Sequence, residues 1–209
     1  MKHLHGTDGV RRVPGDRATR PVLNLRPLLI AVAAACAFLA IPALHAQNPR
    51  PTDYEVKSAY LYNFGRFVEW PEKAAANQGG RFTVCVFGQD PFGPSLDATL
   101  AGETIGGKTI VAKRISSAQE SDNCQILYLS LTEASRLNKI IAELDRKSVL
   151  TVSDMPQFVN RGGMIQFVLE GKKVRFEVNL TAAQRAGLTL SSELLKVATA
   201  VRRNPQPGD

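Results

Sequence analysis

Residues 27 to 44 (PLLIAVAAACAFLAIPAL) carry no charge, and the stretch before them holds Lys2, Arg11, Arg12, Arg17, Arg20 and Arg26 against only Asp8 and Asp16. A basic segment, an apolar run, and then Ala43-Leu44-His45-Ala46 followed by Gln47-Asn48-Pro49 read as a secretory signal cleaved after residue 46. A retained membrane anchor needs about 20 apolar residues, and this run is shorter and holds Pro42. A lipoprotein acylated at Cys36 would keep Ala37 to Leu44 as an apolar stub, which counts against it. The segment ahead of the apolar run is long for a signal, so Met1 reads as lying upstream of the true start. The expectation is therefore a signal over 1–46, one folded domain over 47–201 and a flexible polar tail over 202–209.

Setting the signal aside changes the chemistry open to the rest. The whole chain has 26 Lys and Arg against 19 Asp and Glu, a net charge of +7; from residue 47 onward the count is 20 against 17. Nucleic-acid binding needs a basic patch or stripe on the folded domain, and most of the excess charge is not there, so no nucleic-acid partner is expected. His3, His5 and His45 are all the histidines, and all lie in the signal. Without imidazole the domain has no His general base, no Ser-His or Cys-His pair and none of the common catalytic zinc sets. No enzyme, metal or cofactor is expected. Cys85 and Cys124 remain, an even count that pairs in an oxidising compartment. The pairing reads as a staple rather than a redox switch, because Cys85 sits within an apolar strand where a thiolate forms poorly.

Along the domain, Thr52 with Glu55 three residues later forms a capping-box pattern. It opens a helix with Val56, Ala59, Tyr60, Asn63 and Phe67 on one face, ending before Pro71. AAANQGG at 74–80 reads as a loop, and RFTVCVF at 81–87 as a strand. A turn with Pro91 and Pro94 leads into a helix ending at Leu100. Strands follow over 109–115, 124–129 and 149–152, with a helix over 132–145 between the last two. Segments 164–169 and 173–179 flank Glu170-Gly171 as a hairpin. A short helix over 182–186, a stop at Gly187 and a last helix over 191–201 complete the reading. Strands alternating with helices imply an α/β fold, a mainly parallel sheet flanked by helices on both faces with an added C-terminal antiparallel hairpin, Rossmann-like or flavodoxin-like in three layers.

Gly102-Glu103-Thr104-Ile105-Gly106-Gly107-Lys108-Thr109 matches the phosphate-loop pattern letter for letter. That loop works between a strand and the helix it opens; here a helix precedes and a strand follows, so it reads as a glycine-rich turn. Tyr54, Tyr60, Tyr62, Phe64, Phe67 and Trp70 crowd more aromatic surface around one helix than one face can bury, leaving core packing and a contact surface as alternatives. Glu177, between Phe176 and Val178, reads from its alternation as a solvated strand residue.

These segments, taken in order, resemble the YfiR family of periplasmic proteins. The matching pieces are Val56-Lys57-Ser58-Ala59-Tyr60 through Phe67-Val68-Glu69-Trp70-Pro71, Val84-Cys85-Val86-Phe87-Gly88, Asn123-Cys124-Gln125-Ile126-Leu127-Tyr128, Val149-Leu150-Thr151-Val152, Gly162-Gly163-Met164-Ile165, and Arg175-Phe176-Glu177-Val178-Asn179-Leu180 through Gly187-Leu188-Ser191-Ser192-Leu194-Leu195. The resemblance implies a dimeric repressor of a YfiN-type inner-membrane diguanylate cyclase, relieved when a YfiB-type outer-membrane lipoprotein sequesters it. It implies a disulfide between Cys85 and Cys124, and a role in repression for Glu177 and the strands around it, with Ile165 and Phe176 as further candidates. This chain lacks the second cysteine pair of some relatives and has Gln125 where the family often has histidine, so redox control and an imidazole role do not carry over. The competing expectation is a periplasmic module binding a small aromatic or amphipathic ligand in a pocket lined from Tyr60, Phe64, Phe67 and Trp70.

Overall fold

The computed structural model describes residues 51–72, 80–145 and 147–203. The expected signal, most of the 74–80 loop and residues 204–209 lie outside the described residues. Thr52 caps helix α1 (Asp53–Phe67): its hydroxyl accepts from the Glu55 amide, while the Glu55 carboxylate accepts from the Thr52 amide, completing the capping box. The chain then gives strand β1 (Val68–Glu69), β2 (Arg81–Phe87), helix α2 (Pro94–Leu100), β3 (Thr104–Ile105), β4 (Lys108–Ile115) and β5 (Ile126–Leu129). Helix α3 (Leu137–Glu143), β6 (Leu150–Ser153), β7 (Ile165–Glu170) and β8 (Lys173–Asn179) follow, and then α4 (Leu180–Arg185), β9 (Thr189–Leu190), α5 (Ser192–Val197) and β10 (Ala200–Arg202).

Eight strands form one sheet in the order β10-β8-β7-β6-β5-β2-β4-β3, and β1 pairs with β9 in a separate ribbon. The pairs from β4 through β2, β5 and β6 to β7 are all parallel, as is β8 with β10; β7 with β8 and β3 with β4 are antiparallel. This is the mostly parallel mixed sheet that the alternation of elements implies. The phosphate-loop lookalike is the β3–β4 hairpin, with Gly106 and Gly107 both at positive φ in its turn. No helix opens after it, so its amides do not converge as a phosphate cradle requires.

Alternation sorts the strand side chains into two clusters. Phe82, Val84 and Val86 of β2, Ile126 and Tyr128 of β5, and Phe167 and Phe176 of the hairpin face one way, under α1, α2, α4 and α5. Cys85, Phe87, Leu127 and Leu129 face the other way, against Leu137, Ile140 and Leu144 of the α3 segment. The second cluster takes no side chain from β7, β8 or β10. Among the described residues, apolar helical packing covers both faces only over the first half of the sheet, which corrects the three-layer expectation; on the far side of the hairpin Gln166, Val168, Arg175 and Glu177 stay part-exposed.

Two helices differ from the sequence reading. The 132–145 segment is a 3-10 turn, Leu131–Arg136, running into α3. The turn is tightened by the Glu133 amide donating to Ser130, and the buried Glu133 carboxylate accepts from Arg136. The final 191–201 helix stops at Val197, and the chain turns extended at Ala198. The Thr199 amide and hydroxyl both donate to the Phe176 carbonyl, which delivers Ala200–Arg202 onto β8 as a strand. Residue 202 thus belongs to the sheet and not to the tail.

Cys85 and Cys124 are joined, with Cα atoms 5.8 Å apart, and both are buried. In the ladder Val84 stands opposite Ile126 and Cys85 opposite Leu127, so Cys124, just before β5, reaches Cys85 from outside the paired register. Closing a loop of 39 residues stabilises the fold by roughly 4 kcal/mol on a chain-entropy estimate. The double substitution Cys85→Ala, Cys124→Ala is expected to lower urea-denaturation stability by about that amount; a loss below about 1 kcal/mol would show that the unfolded ensemble gains little from the cross-link.

Candidate functional site

Helix α1 is the element from which the candidate residues radiate. Phe64 is fully buried, stacked near Phe167 with ring centroids 5.8 Å apart and edge-on to Phe176 at 5.1 Å. Tyr60 covers the same pair and donates a long hydrogen bond, 3.4 Å, to the Val174 carbonyl. Tyr62 points elsewhere and donates to Glu103. Phe67 remains 36% exposed at the helix end. The six aromatics thus divide between core and surface.

The pocket expected from Tyr60, Phe64, Phe67 and Trp70 is divided too. The first three line a groove of about 310 Å³, closed on the other side by Phe176, Leu194 and Val197. Trp70 lies edge-on to Phe82 and lines a separate pocket of about 200 Å³ with Val68, Ile105, Lys108 and Gln125. Its indole Nε1 is buried without a hydrogen-bond partner among the described residues. Gly65 permits this close approach of α1 to the sheet: a Cβ there would sit 2.3 Å from Ile105 Cδ1 and 3.1 Å from the Phe82 ring.

Open α/β sheets take ligands outside the carboxyl ends of their strands, where strand order reverses. Here that point lies between β2 and β5, and the protein's own side chains fill it. Phe92 packs edge-on to Tyr128 with centroids 4.7 Å apart. Glu133 presses on Gly88, where a Cβ would lie 2.7 Å from its carboxylate and φ is +92°. Beyond β6, Asp154 accepts from Lys57 Nζ at 2.7 Å and from the Tyr54 hydroxyl at 3.0 Å. The Lys57 ammonium also sits 4.1 Å from the centre of the Tyr54 ring. The Tyr128 hydroxyl, fully buried, makes no direct hydrogen bond among the described residues. Sequence patterning could not have paired Lys57 with Asp154, 97 residues apart.

Burial alone would raise the Asp154 carboxyl, but the hydrogen bond and charge of Lys57, with the Tyr54 hydroxyl, hold it below its ordinary value. Burial and then the neighbouring Asp154 charge push the Tyr54 hydroxyl up to about 12. Because the Asp154 value is depressed on folding, its contribution to stability is full above the unfolded carboxylate value and is lost as pH falls through the folded one.

Glu177 projects from the open side of β8. Its carboxylate accepts from Arg202 at 3.1 Å and retains 22% side-chain exposure, and Gln166 stands opposite it on β7. Phe176 and Ile165 point to the other face and are core residues, 1% and 0% exposed, Phe176 at the floor of the groove beside Tyr60 and Phe64. The sequence pattern over 198–202 is that of a helix running into a tail, so it does not reveal Arg202 as the partner of Glu177. Among the described residues, no three of His, Cys, Asp and Glu gather to hold a metal ion, and no helix is long and apolar enough to cross a membrane.

Substituting Lys57→Met leaves Asp154 buried and unpaired, a loss of about 3–5 kcal/mol. Asp154→Asn should differ most from the parent at pH 7, the gap narrowing as pH falls below about 4; urea denaturation across pH 3–7 reads this, and a gap independent of pH would refute the assignment.

Among solved structures, a conserved domain protein from Vibrio cholerae O1 biovar El Tor superposes with a TM-score of 0.50 at 14% identity, over 72% of this chain and 60% of that one. The ABC domain in complex with L-Trp from Streptococcus pneumoniae gives 0.42 at 14% identity, over 58% and 55%. The chain spans well under two thirds of either structure's length, and the first likeness speaks to the fold alone. The profile of the YfiR/HmsC-like family matches residues 54–199, from the second residue of α1 to the edge of β10, so the chain belongs to the YfiR/HmsC-like family.

Proposed function

We infer that this protein is a non-enzymatic periplasmic regulator of cyclic di-GMP signalling that holds a YfiN-type diguanylate cyclase inactive by binding its periplasmic part. The observation that carries this reading, in a YfiR/HmsC-like chain, is the uncovered side of β7, β8 and β10 around Glu177 and Arg202. A sheet face left without an apolar layer and studded with paired charge suits a reversible protein contact. The filled crevice at the strand ends points the same way, since side chains occupy the place where such sheets hold substrates. A YfiB-type lipoprotein would compete for the regulator, and a dimer would present the face twice.

Repression of this kind is a population shift: the regulator binds the inactive cyclase more tightly than the active one. A differential affinity of about 5.5 kcal/mol swings a receptor from one state almost wholly to the other. In a strain carrying a YfiN-type cyclase, deleting the gene should raise cellular cyclic di-GMP. Complementation with the parent should lower it again, and Glu177→Gln should complement poorly. Unchanged cyclic di-GMP on deletion would sink the repressor reading.

One observation favours a second reading, a small-ligand sensor: the pocket beside Trp70 offers an apolar lining and an unpartnered indole donor, and a buried donor without an acceptor costs about 1–3 kcal/mol. Trp70 is the only tryptophan, so its fluorescence reports this pocket directly. Saturable shifts with an apolar molecule bearing a hydrogen-bond acceptor are the expected result; flat titrations across a metabolite panel would dismiss the sensor.

A further inference from the structure

Strand β8 turns Val174, Phe176 and Val178 into the core, and Lys173, Arg175 and Glu177 to the side that carries Gln166, Val168 and Glu170 of β7. Strand β10 extends that side with Ala200, in register with Glu177, and Arg202. Each acidic group on this face has a basic one beside it. The Glu177 carboxylate accepts from Arg202 at 3.1 Å, and Glu170 stands opposite Lys173 at the turn end, where both are exposed. Arg175 is the charge left over. It lies at the middle of the strand, half-buried, opposite Val168 and diagonal to Ala200. Among the described residues its side chain makes no hydrogen bond or ion pair.

Resting on the regulator reading, we propose that Arg175 anchors this face by receiving a carboxylate of the partner protein, an aspartate or glutamate whose neighbour is small or apolar and lies over Val168. Charge selects the occupant: with the other charges balanced in pairs, the centre of the face presents one cation. A guanidinium meets a carboxylate through two parallel hydrogen bonds, and a setting between apolar side chains shields that contact from water. Arginines placed in this way carry much of the energy at the centre of protein contacts. A second copy of this chain would bring an identical face whose carboxylates are already matched, and would leave the guanidinium unmet. An anionic lipid surface is read by a cluster of exposed cations, whereas here one cation stands among paired charges.

The test measures binding of the mature protein to the purified periplasmic domain of a YfiN-type cyclase by biolayer interferometry. Arg175→Gln should weaken binding about tenfold or more. Arg175→Lys keeps the charge without the planar fork and should recover only part of that loss. Val168→Glu sets a carboxylate of the chain's own across from Arg175, and should weaken binding to a similar degree with the arginine intact. Lys173→Gln, at the exposed end, should cost less than about threefold. Thermal melts of all four should stay within a few degrees of the parent. Full binding by Arg175→Gln, with the parent binding, overturns the anchor and leaves the regulator reading standing; so do equal losses from Arg175→Gln and Lys173→Gln, which mark diffuse attraction. No binding by the parent removes the regulator reading itself. An Arg175→Gln protein that instead dissociates a dimer in light scattering, or loses co-sedimentation with phosphatidylglycerol vesicles, overturns the proposal in favour of a second copy or a lipid.

Discussion

The buried contact of Lys57 with Asp154 is the constraint on which the rest of the molecule's shape depends. An ammonium and a carboxylate taken out of water repay their desolvation only when the geometry is good and the spare lone pairs are used. Here Tyr54 supplies both a hydroxyl to the carboxylate and a ring to the ammonium. The pair fastens the first turns of α1 above the ends of the central strands, and Gly65 lets the helix's later turns lie close against Phe82 and Ile105. Both apolar clefts have α1, or the residues just after it, as a wall. A change in how α1 sits would reshape the two together.

Much of the fold was legible because its strands are made of residues that suit a pleated sheet. RFTVCVF and ILYL are apolar on both faces, as central parallel strands are, and the hairpin announces itself through Glu170-Gly171. The last strand was not legible. Ala198-Thr199-Ala200-Val201 continues the helix-like pattern of the preceding turn, and the decision for strand comes from the Phe176 carbonyl, which is remote in sequence. The 3-10 turn before α3 likewise has a partner remote in sequence, since its Glu133 packs on Gly88 just after β2.

Site legibility followed the same division. The resemblance marked Glu177, and alternation placed it opposite Phe176, but only the register of β10 shows that Arg202 holds it. Aromatic crowding on α1 was visible as an excess over one face. Which rings meet the core and which line a surface depends on the hairpin and α5 that pack against them. Local pattern reports one side of a contact; the partner residue sets its meaning.

The order in which contacts can form follows from where they lie along the chain. The disulfide joins β2 to the start of β5, so both thiols emerge before β6 does. The open face around Glu177 needs β10, the last strand to emerge. A chain delivered amino terminus first can thus lock its interior covalently while the recognition edge is still missing. A premature stop between β8 and β10 would leave a stapled sheet with β8 as a bare edge, the kind of unpaired strand that recruits other chains.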